Sequence, residues 1–184
     1  MRLPAHLARM KASAGVFSIP FDEAAARTAL DAAVEHKSGP LRVRLALDET
    51  GDFTATAAPL SPPQEAWTYA LSPRRVSSTD RLARHKTDWR ELYDRPAGGA
   101  DEWLFLNERG ELVEGARTNI FLRCGETLLT PPLGSGCLAG VLRAELLDQG
   151  RAVEATLTPA DIADGDLFLG NSLRGLVRAV SRES

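Results

Sequence analysis

Apolar and polar residues alternate with two different periods in the first part of the chain. Apolar side chains recur at helical spacing in residues 4–14 and 23–35, which predicts two helices. Asp22 stands directly before the second segment, at a position that favours a helix N-cap. Residues 41–48 instead alternate between apolar and polar side chains, and with residues 53–58 they predict a β-hairpin.

The segment that follows contains the expected boundary between two domains. Residues 66–71 predict a further short strand, which completes a small α+β domain at residues 1–73. Residues 74–85 are polar, arginine-rich and without periodicity, as is typical of an interdomain linker. Residues 86–184 form the expected larger domain, which begins with one or two helical turns at residues 87–94.

The larger domain is expected to consist mainly of short strands. Between residues 102 and 129 apolar runs are separated by tight turns, and the first turn, Asn107-Glu108-Arg109-Gly110, predicts a hairpin. A helix is predicted at residues 141–149, where Gly150 ends it. Further strands are predicted at residues 153–157 and 166–169, with a helical turn at residues 159–163, and residues 173–180 form the last apolar segment.

An acidic residue interrupts the second strand of the first hairpin in this domain. Glu114 stands within the largely apolar sequence LVEGARTNIF (112–121). A carboxylate buried in a strand needs a partner, because an unpaired charge in an apolar site is costly. The alternative interpretation is an exposed acid on a sheet face.

A glycine-rich segment precedes the predicted helix. Residues 134–139 match the G-x-G-x-x-A pattern of dinucleotide-binding loops. We reject that assignment, because two prolines precede the segment and the surrounding strands are expected to be antiparallel. A glycine-rich loop that enters a helix still offers backbone N–H groups and a positive dipole end to a phosphate. A flexible loop before a capped helix is the alternative.

A second group of small residues, Gly170-Asn171-Ser172, offers further hydrogen-bond donors. Taken alone, this sequence is typical of an ordinary turn. It therefore indicates a binding site only in combination with the other candidate residues.

The overall composition excludes several functional classes. The chain of 184 residues is 43% hydrophobic with a net charge of −3, so it lacks the basic excess of nucleic-acid-binding proteins. No apolar run is long enough to span a membrane, and residues 1–15 lack the apolar core of a secretory signal. Cys124 and Cys137 form no CxxC pair and the histidines are scattered, so we expect a cytoplasmic protein without a metal site.

Lysine is rare in this chain. Only Lys11, Lys37 and Lys86 are lysines among 22 basic residues, so a lysine here is more often needed as an amine. Arginine stays protonated and cannot form a Schiff base, whereas a desolvated lysine can. A solvated surface lysine is the alternative for Lys86. An amine, the Glu114 carboxylate and phosphate donors together indicate pyridoxal 5′-phosphate as the cofactor.

Five segments resemble the class IV aminotransferase family, the fold-type IV pyridoxal-phosphate enzymes. The resemblance implies a two-domain α+β fold of the D-amino-acid aminotransferase type, with a small α/β sandwich and a larger barrel-like β domain with helices. It also implies a homodimer that binds its cofactor between the domains and acts on a small-molecule substrate. The segments are HLARM (6–10), RHKT (84–87), LVEGARTNIF (112–121), TPPLGSGCLAGVLR (130–143) and GNSLRGLVRAV (170–180).

The resemblance implies that three charged residues contact the cofactor. Lys86 would be the Schiff-base lysine and proton carrier. Glu114 would bind the pyridine nitrogen and keep it protonated. Arg9, in the His-x-x-Arg segment, would bind the phosphate.

The remaining implied contacts come from small or apolar residues. Val141 and Leu142 would donate backbone N–H groups to the phosphate. Asn171 and the adjacent Ser172 would contact the phosphate as well. Asn119 would support the strand of Glu114.

Within the family, the sequence is most similar to lyases that convert 4-amino-4-deoxychorismate to 4-aminobenzoate and pyruvate in folate synthesis. Aminotransferases of D- or branched-chain amino acids are the alternative, and a non-catalytic pyridoxal-phosphate-binding relative is a further one. Branched-chain enzymes carry a tyrosine five residues after the lysine, whereas this chain has Glu91 there and Tyr93 two residues on, which favours a lyase. The chain is also expected to be shorter at its N-terminus than other family members.

Overall fold

The computed structural model describes residues 2–88, 93 and 99–182. The chain forms two compact units, Met1–Pro63 and Gln64–Ser184. The predicted helical turns at residues 87–94 lie mostly outside the described residues. No helix in the described ranges combines the length and apolar character that crossing a membrane requires.

The first unit contains two helices and a two-stranded sheet, as predicted. The Asp22 carboxylate accepts hydrogen bonds from the N–H groups of Ala24 (2.8 Å) and Ala25 (3.3 Å), which confirms it as the N-cap of the second helix. The two strands pair antiparallel, with Leu41 opposite Pro59 and Leu47 opposite Phe53. The elements are α1 (Leu3–Val16), α2 (Glu23–Val34), β1 (Leu41–Leu47) and β2 (Phe53–Pro59).

The second unit is built on one eight-stranded sheet with two helices. In sheet order the strands are β5-β4-β3-β10-β9-β6-β7-β8. The strands are β3 (Ala66–Val76), β4 (Glu102–Asn107), β5 (Leu112–Gly115), β6 (Asn119–Cys124), β7 (Thr127–Thr130), β8 (Ala152–Glu154), β9 (Leu167–Asn171) and β10 (Gly175–Ser181); the helices are α3 (Val141–Asp148) and α4 (Pro159–Ile162).

The sheet curls, so that strands far apart in its order come together. Strand β5 lies at one edge and β6 lies five places away, yet only residues 116–118 separate them in sequence. The Gly115 N–H donates a hydrogen bond to the Thr118 carbonyl at 2.8 Å across this connection. This curled sheet is the barrel-like architecture that the family resemblance implied.

Strand β3 differs from its expected placement in the small domain. It pairs parallel with β4 and with β10, and it extends to Val76, through the first residues of the expected linker. Trp67 and Tyr69 are buried in the core of the large sheet. The chain therefore divides at Pro63 rather than at residue 73, because hydrogen bonding to strands distant in sequence decides where β3 belongs. The division into a small domain at residues 1–73, a linker at 74–85 and a larger domain at 86–184 stays a prediction.

Strands β4 and β5 of the large sheet are largely buried on both faces. In β4, Leu104 and Leu106 belong to one apolar cluster, whereas Phe105 between them belongs to another. Consecutive side chains of a strand point to opposite faces, so both faces of β4 are covered. The neighbouring strand β5, which carries Glu114, is buried at every position. The acid therefore lies in the interior of the protein.

Candidate active site

Glu114 is buried and has a hydrogen-bond partner in the glycine-rich loop. Its side chain is in β5, and the residue is 2% exposed. Its Oε2 accepts a hydrogen bond from the Leu138 backbone N–H at 3.0 Å. The interpretation of Glu114 as an exposed acid on a sheet face is therefore wrong.

The backbone of Leu138 connects Glu114 to the neighbouring strand. Its carbonyl accepts a hydrogen bond from the Asn119 side-chain amide at 3.0 Å and another from the Gly140 N–H at 2.8 Å. Asn119 opens strand β6 and is buried. The backbone of one residue, Leu138, thus ties the ends of β5 and β6 to the loop that leads into α3.

Helix α3 begins directly after this loop, at Val141. Gly140 is its N-cap, and no side chain caps the first turn. The first N–H groups of an α-helix have no acceptor within the helix, and they stand at the positive end of its dipole. Val141 and Leu142 are buried, so these N–H groups lie in a partly dehydrated setting that favours binding of an anion.

Lys86 follows a 3-10 turn (Leu82–Arg84) and is exposed. The His85 N–H bonds to the Leu82 carbonyl at 3.0 Å, and the Thr87 N–H bonds to the His85 carbonyl at 3.0 Å. The Thr87 Oγ1 atom is buried, yet it has no hydrogen-bond partner within the described part of the chain. A buried hydroxyl of this kind beside an accessible amine is suited to a polar ligand. The residue five positions after the lysine, Glu91, lies outside the described residues.

A model of the class IV aminotransferases matches residues 1–181 of the chain. The chain belongs to the class IV aminotransferase family. Enzymes of this family are pyridoxal-phosphate-dependent aminotransferases and lyases. The buried carboxylate, the uncapped helix and the unpartnered hydroxyl next to a lysine fit that cofactor.

Comparison with known proteins supports this assignment. The chain is 29% identical to a Schizosaccharomyces pombe protein provisionally named aminodeoxychorismate lyase, over 97% of this chain and 83% of that one. It is 42% identical to a Mesorhizobium loti protein provisionally named an amino-acid aminotransferase, over 98% and 92% of the two chains, with a TM-score of 0.94. A Mycobacterium tuberculosis protein called a hypothetical aminotransferase, with α-ketoglutarate and PMP bound, shares the fold, with a TM-score of 0.83, 21% identity, and 97% and 75% of the chains covered.

Asn171 of this class IV chain holds a turn together. Its Oδ1 accepts hydrogen bonds from the N–H groups of Leu173 (3.0 Å) and Arg174 (2.9 Å), and its Nδ2 donates to the Arg117 carbonyl at 3.4 Å. The side chain thus fixes the turn between β9 and β10, in which Ser172 also lies. Phosphate contacts from Asn171 and Ser172 stay a prediction, as does the contact from Arg9, which lies on α1 in the first unit.

Two buried charged residues near the site have no counterpart among the sequence predictions. Arg143, in the first turn of α3, is 3% exposed; it donates to the Pro131 carbonyl at 2.7 Å and pairs with Glu154. Glu102 in β4 is fully buried, and Arg117 lies 3.6 Å away as its ion partner. A cation in the first turn of a helix is electrostatically unfavourable. The position of Arg143 in the predicted helix could therefore have indicated that this arginine has a specific partner.

The close contact between Gly140 and Asn119 leads to a first prediction. A Cβ atom at position 140 would lie 1.9 Å from the Asn119 Oδ1 atom, and Asn119 cannot move without losing its bond to Leu138. We expect Gly140→Ala to lower the free energy of unfolding by about 1–3 kcal/mol. Urea denaturation measures the change.

The loop supplies a matched control for this variant. Among the described residues, apart from its two chain neighbours, none has an atom within 4 Å of a Cβ atom at Gly134, so Gly134→Ala should leave the free energy of unfolding nearly unchanged. Combining Gly140→Ala with Asn119→Ala should cost less than the sum of the single variants, because the clash is removed. Equal losses in the two glycine variants would contradict the steric argument.

The carboxylate of Glu111 leads to a second prediction, on pH. Hydrogen bonds from Arg109 lower the pKa of Glu111 from 4.5 to about 2. A carboxyl group whose pKa is lower in the folded state stabilises the fold above its unfolded pKa, and this stabilisation is lost as the pH falls toward the folded pKa. We expect the free energy of unfolding to decrease between about pH 4.5 and pH 2.

The Glu111→Gln variant should show a weaker dependence on pH in this range. Part of the dependence should remain, because a hydrogen bond from Ser78 also holds the pKa of Glu108 at about 2. Urea denaturation of both proteins at a series of pH values measures the difference. An unchanged dependence in the variant would show that Glu111 is not paired in solution.

Proposed function

We propose that the chain binds pyridoxal 5′-phosphate and acts as a lyase that converts 4-amino-4-deoxychorismate to 4-aminobenzoate and pyruvate. The hydrogen bond from the Leu138 N–H to Glu114 is the main support, because it places a buried carboxylate beside the loop that opens α3. An acid for the pyridine nitrogen and N–H donors for the phosphate are thereby attached to one loop. The name of the S. pombe relative supports the choice of reaction.

The cofactor, once bound, withdraws electrons from the substrate carbon attached to the amino group. Glu114 would hold a proton on the pyridine nitrogen, which increases this withdrawal. Because the carboxylate is buried, water does not weaken its interaction with the ring nitrogen. The Leu138 N–H fixes the carboxylate orientation.

Lys86 would carry the proton in this reaction. Its amine would remove the proton from the substrate carbon that bears the amino group. The ether bond between the adjacent ring carbon and the three-carbon group would then break, and the ring would become aromatic. The released three-carbon enolate would take up a proton on carbon to become pyruvate. The products contain all atoms of the substrate, so the reaction requires no oxidant, reductant or second substrate.

The phosphate would be bound at the start of α3. Val141 and Leu142 would donate backbone N–H groups, and the helix dipole would stabilise the negative charge. Arg9 would add a positive charge, and the turn of Asn171 and Ser172 would add hydrogen-bond donors. These contacts anchor the cofactor without taking part in proton transfer.

An aminotransferase is the second candidate. The M. loti protein, which is 42% identical to this chain, is provisionally named an amino-acid aminotransferase. Such an enzyme would use the same Lys86 and Glu114 but would transfer the amino group of a D- or branched-chain amino acid to a keto acid. The proposed roles of Lys86 and Glu114 are common to both reactions, so the products must distinguish them.

The decisive experiment measures products of the purified protein supplied with pyridoxal phosphate. We expect 4-amino-4-deoxychorismate to give 4-aminobenzoate, detected by chromatography, and pyruvate, detected with lactate dehydrogenase, in equal amounts. Keto-acid formation from D-alanine or a branched-chain amino acid with 2-oxoglutarate, without 4-aminobenzoate, would establish the aminotransferase instead. A visible absorption band without either product would identify a non-catalytic binding protein.

We further infer that the protein is a cytoplasmic homodimer that serves folate synthesis. The family resemblance of the five sequence segments supports the dimer. Light scattering of the protein in solution tests it, and a mass of one chain of 19.9 kDa would contradict it.

A further inference from the structure

Polar side chains form a network at the end of the β4–β5 hairpin, outside the proposed cofactor contacts. We call it the Glu111 network. At its centre the Glu111 carboxylate accepts bonds from Arg109 Nε (2.8 Å), Arg109 Nη2 (2.7 Å), Asn107 Nδ2 (2.8 Å) and Ser135 Oγ (2.8 Å). Its members are Ser78, Asn107, Glu108, Arg109, Glu111 and Ser135.

The network connects the hairpin to the loop that leads into α3. Ser135 donates its hydroxyl proton to Glu111, and the Ser135 carbonyl accepts a hydrogen bond from the Asn107 amide at 3.1 Å. Arg109 donates to the Gly134 carbonyl at 3.1 Å. The same loop continues to Leu138, whose N–H holds Glu114.

The network also connects the hairpin to the segment that leads toward Lys86. The Ser78 N–H donates to Glu108 at 2.9 Å, and the Ser78 hydroxyl is bonded to both Glu108 and Arg109. Ser78 lies two residues after β3, and the chain then runs on to the 3-10 turn before Lys86. Ser78 is buried, whereas the side chains of Glu108 and Arg109 that bind it are about half exposed.

Backbone contact between the loop and this segment leaves no room for adjustment. Gly136 has φ = +104°, and a Cβ atom there would lie 3.0 Å from the Ser78 Cα atom and 3.3 Å from the Ser77 carbonyl oxygen. Only glycine fits this conformation and this spacing. The position of the loop relative to Ser78 is therefore fixed by packing as well as by hydrogen bonds.

We propose that the Glu111 network is a positioning device for the cofactor site. It joins the segment leading to Lys86, the hairpin carrying Glu114 and the loop that opens α3. Glu111 is a positioning residue, because it acts on the site through Ser135 and the loop. The inference rests on the proposed function, since the three segments matter together only if they hold one cofactor.

Energetic considerations favour positioning over stability as the main role. Arg109 is 46% exposed on its side chain, and single exposed ion pairs add little to stability. A two-point contact between a guanidinium and a carboxylate, however, fixes geometry well. A displacement of reacting groups by about 1 Å can cost up to about 100-fold in rate, so a network that limits displacement affects function more than folding.

The test uses two variants and one matched control. Ser135→Ala removes the bond between the loop and Glu111, and Glu111→Gln removes the charge at the centre. Asp166→Asn is the control, because Asp166 also pairs with two arginines, Arg123 (3.1 Å) and Arg178 (3.4 Å), but none of these belongs to the network. For each protein we would measure the Kd for pyridoxal phosphate from the visible band, and the Tm without cofactor.

We expect both network variants to raise the Kd by about tenfold or more. In Ser135→Ala the change in Tm should be no larger than that of Asp166→Asn, whereas Glu111→Gln should also lower the Tm, because it removes the charge that Arg109 stabilises in the folded state. The control should keep the wild-type Kd. A wild-type Kd in Ser135→Ala and Glu111→Gln would overturn the inference, and so would a rise in Kd in all three variants. If Glu111→Gln does not fold, Ser135→Ala carries the test.

A second measurement keeps the inference separate from the proposed function. Hydrogen exchange of the cofactor-free protein, followed by mass spectrometry, reports the protection of residues 134–140. Faster exchange there in Ser135→Ala than in Asp166→Asn supports positioning even without cofactor, whereas equal exchange refutes it. The absence of a visible band in the wild-type protein would instead refute the proposed function.

Discussion

Replacing Lys86 by alanine is expected to abolish the visible absorption band that the wild-type chain develops with pyridoxal phosphate. The same variant should lose at least about 10³-fold in kcat/KM, because the residue is proposed both to bind the cofactor covalently and to carry the proton. Absorption spectra recorded during titration with the cofactor give the first readout, the height of the visible band. Product formation gives the second.

Two further lysine variants make this experiment specific. Lys86→Arg keeps the positive charge but cannot form a Schiff base, so it should also lack the band. Lys37→Ala changes an exposed lysine of the first unit and should keep the wild-type spectrum. A persistent band in Lys86→Ala would show that another amine binds the cofactor.

The second large effect is expected for Glu114→Gln. The glutamine side chain keeps the size of glutamate and can still accept the hydrogen bond from the Leu138 N–H, so the fold should be retained. It cannot hold a proton on the pyridine nitrogen through a negative charge. We expect kcat to fall by about 10²–10³-fold while the cofactor still binds.

Glu102→Gln is the matched control for burial, because Glu102 is also a buried carboxylate in the same sheet. It should change the stability of the protein but not the absorption maximum of the bound cofactor, whereas Glu114→Gln should shift that maximum. Equal spectra and equal kcat for Glu114→Gln and the wild type would remove Glu114 from the proposed mechanism.

The spacing of apolar and polar residues predicted most helices and strands of this fold, because each kind of element has its own period. The hairpin of β4 and β5 follows from the turn at Asn107–Gly110, and the helix α3 follows from the glycine-rich loop before it. The sheet membership of β3 could not be predicted in this way. It pairs in parallel with β4 and β10. Parallel partners are not joined by a tight turn, so no short stretch of sequence indicates that they pair.

The candidate site was predictable in its chemistry but not in its connections. The burial of Glu114 follows from the apolar residues around it, and the structure confirms that burial. The hydrogen bond from Leu138 could not be predicted, because its donor is a backbone N–H group 24 residues away. Every residue except proline has such a group, so the pattern of side chains does not indicate which one binds Glu114. Glu111 was missed for a related reason: a charged turn is typical of a solvated surface, and its bond to Ser135 spans 24 residues.

The two backbone contacts of Leu138 have a consequence for engineering the enzyme. Because its N–H holds Glu114 and its carbonyl holds Asn119, the length of the loop between Gly134 and Gly140 is constrained from both ends. An insertion or deletion there would change the acid and the helix start together, so the two cannot be varied separately. Diversity aimed at new substrates is better introduced in segments that carry neither contact.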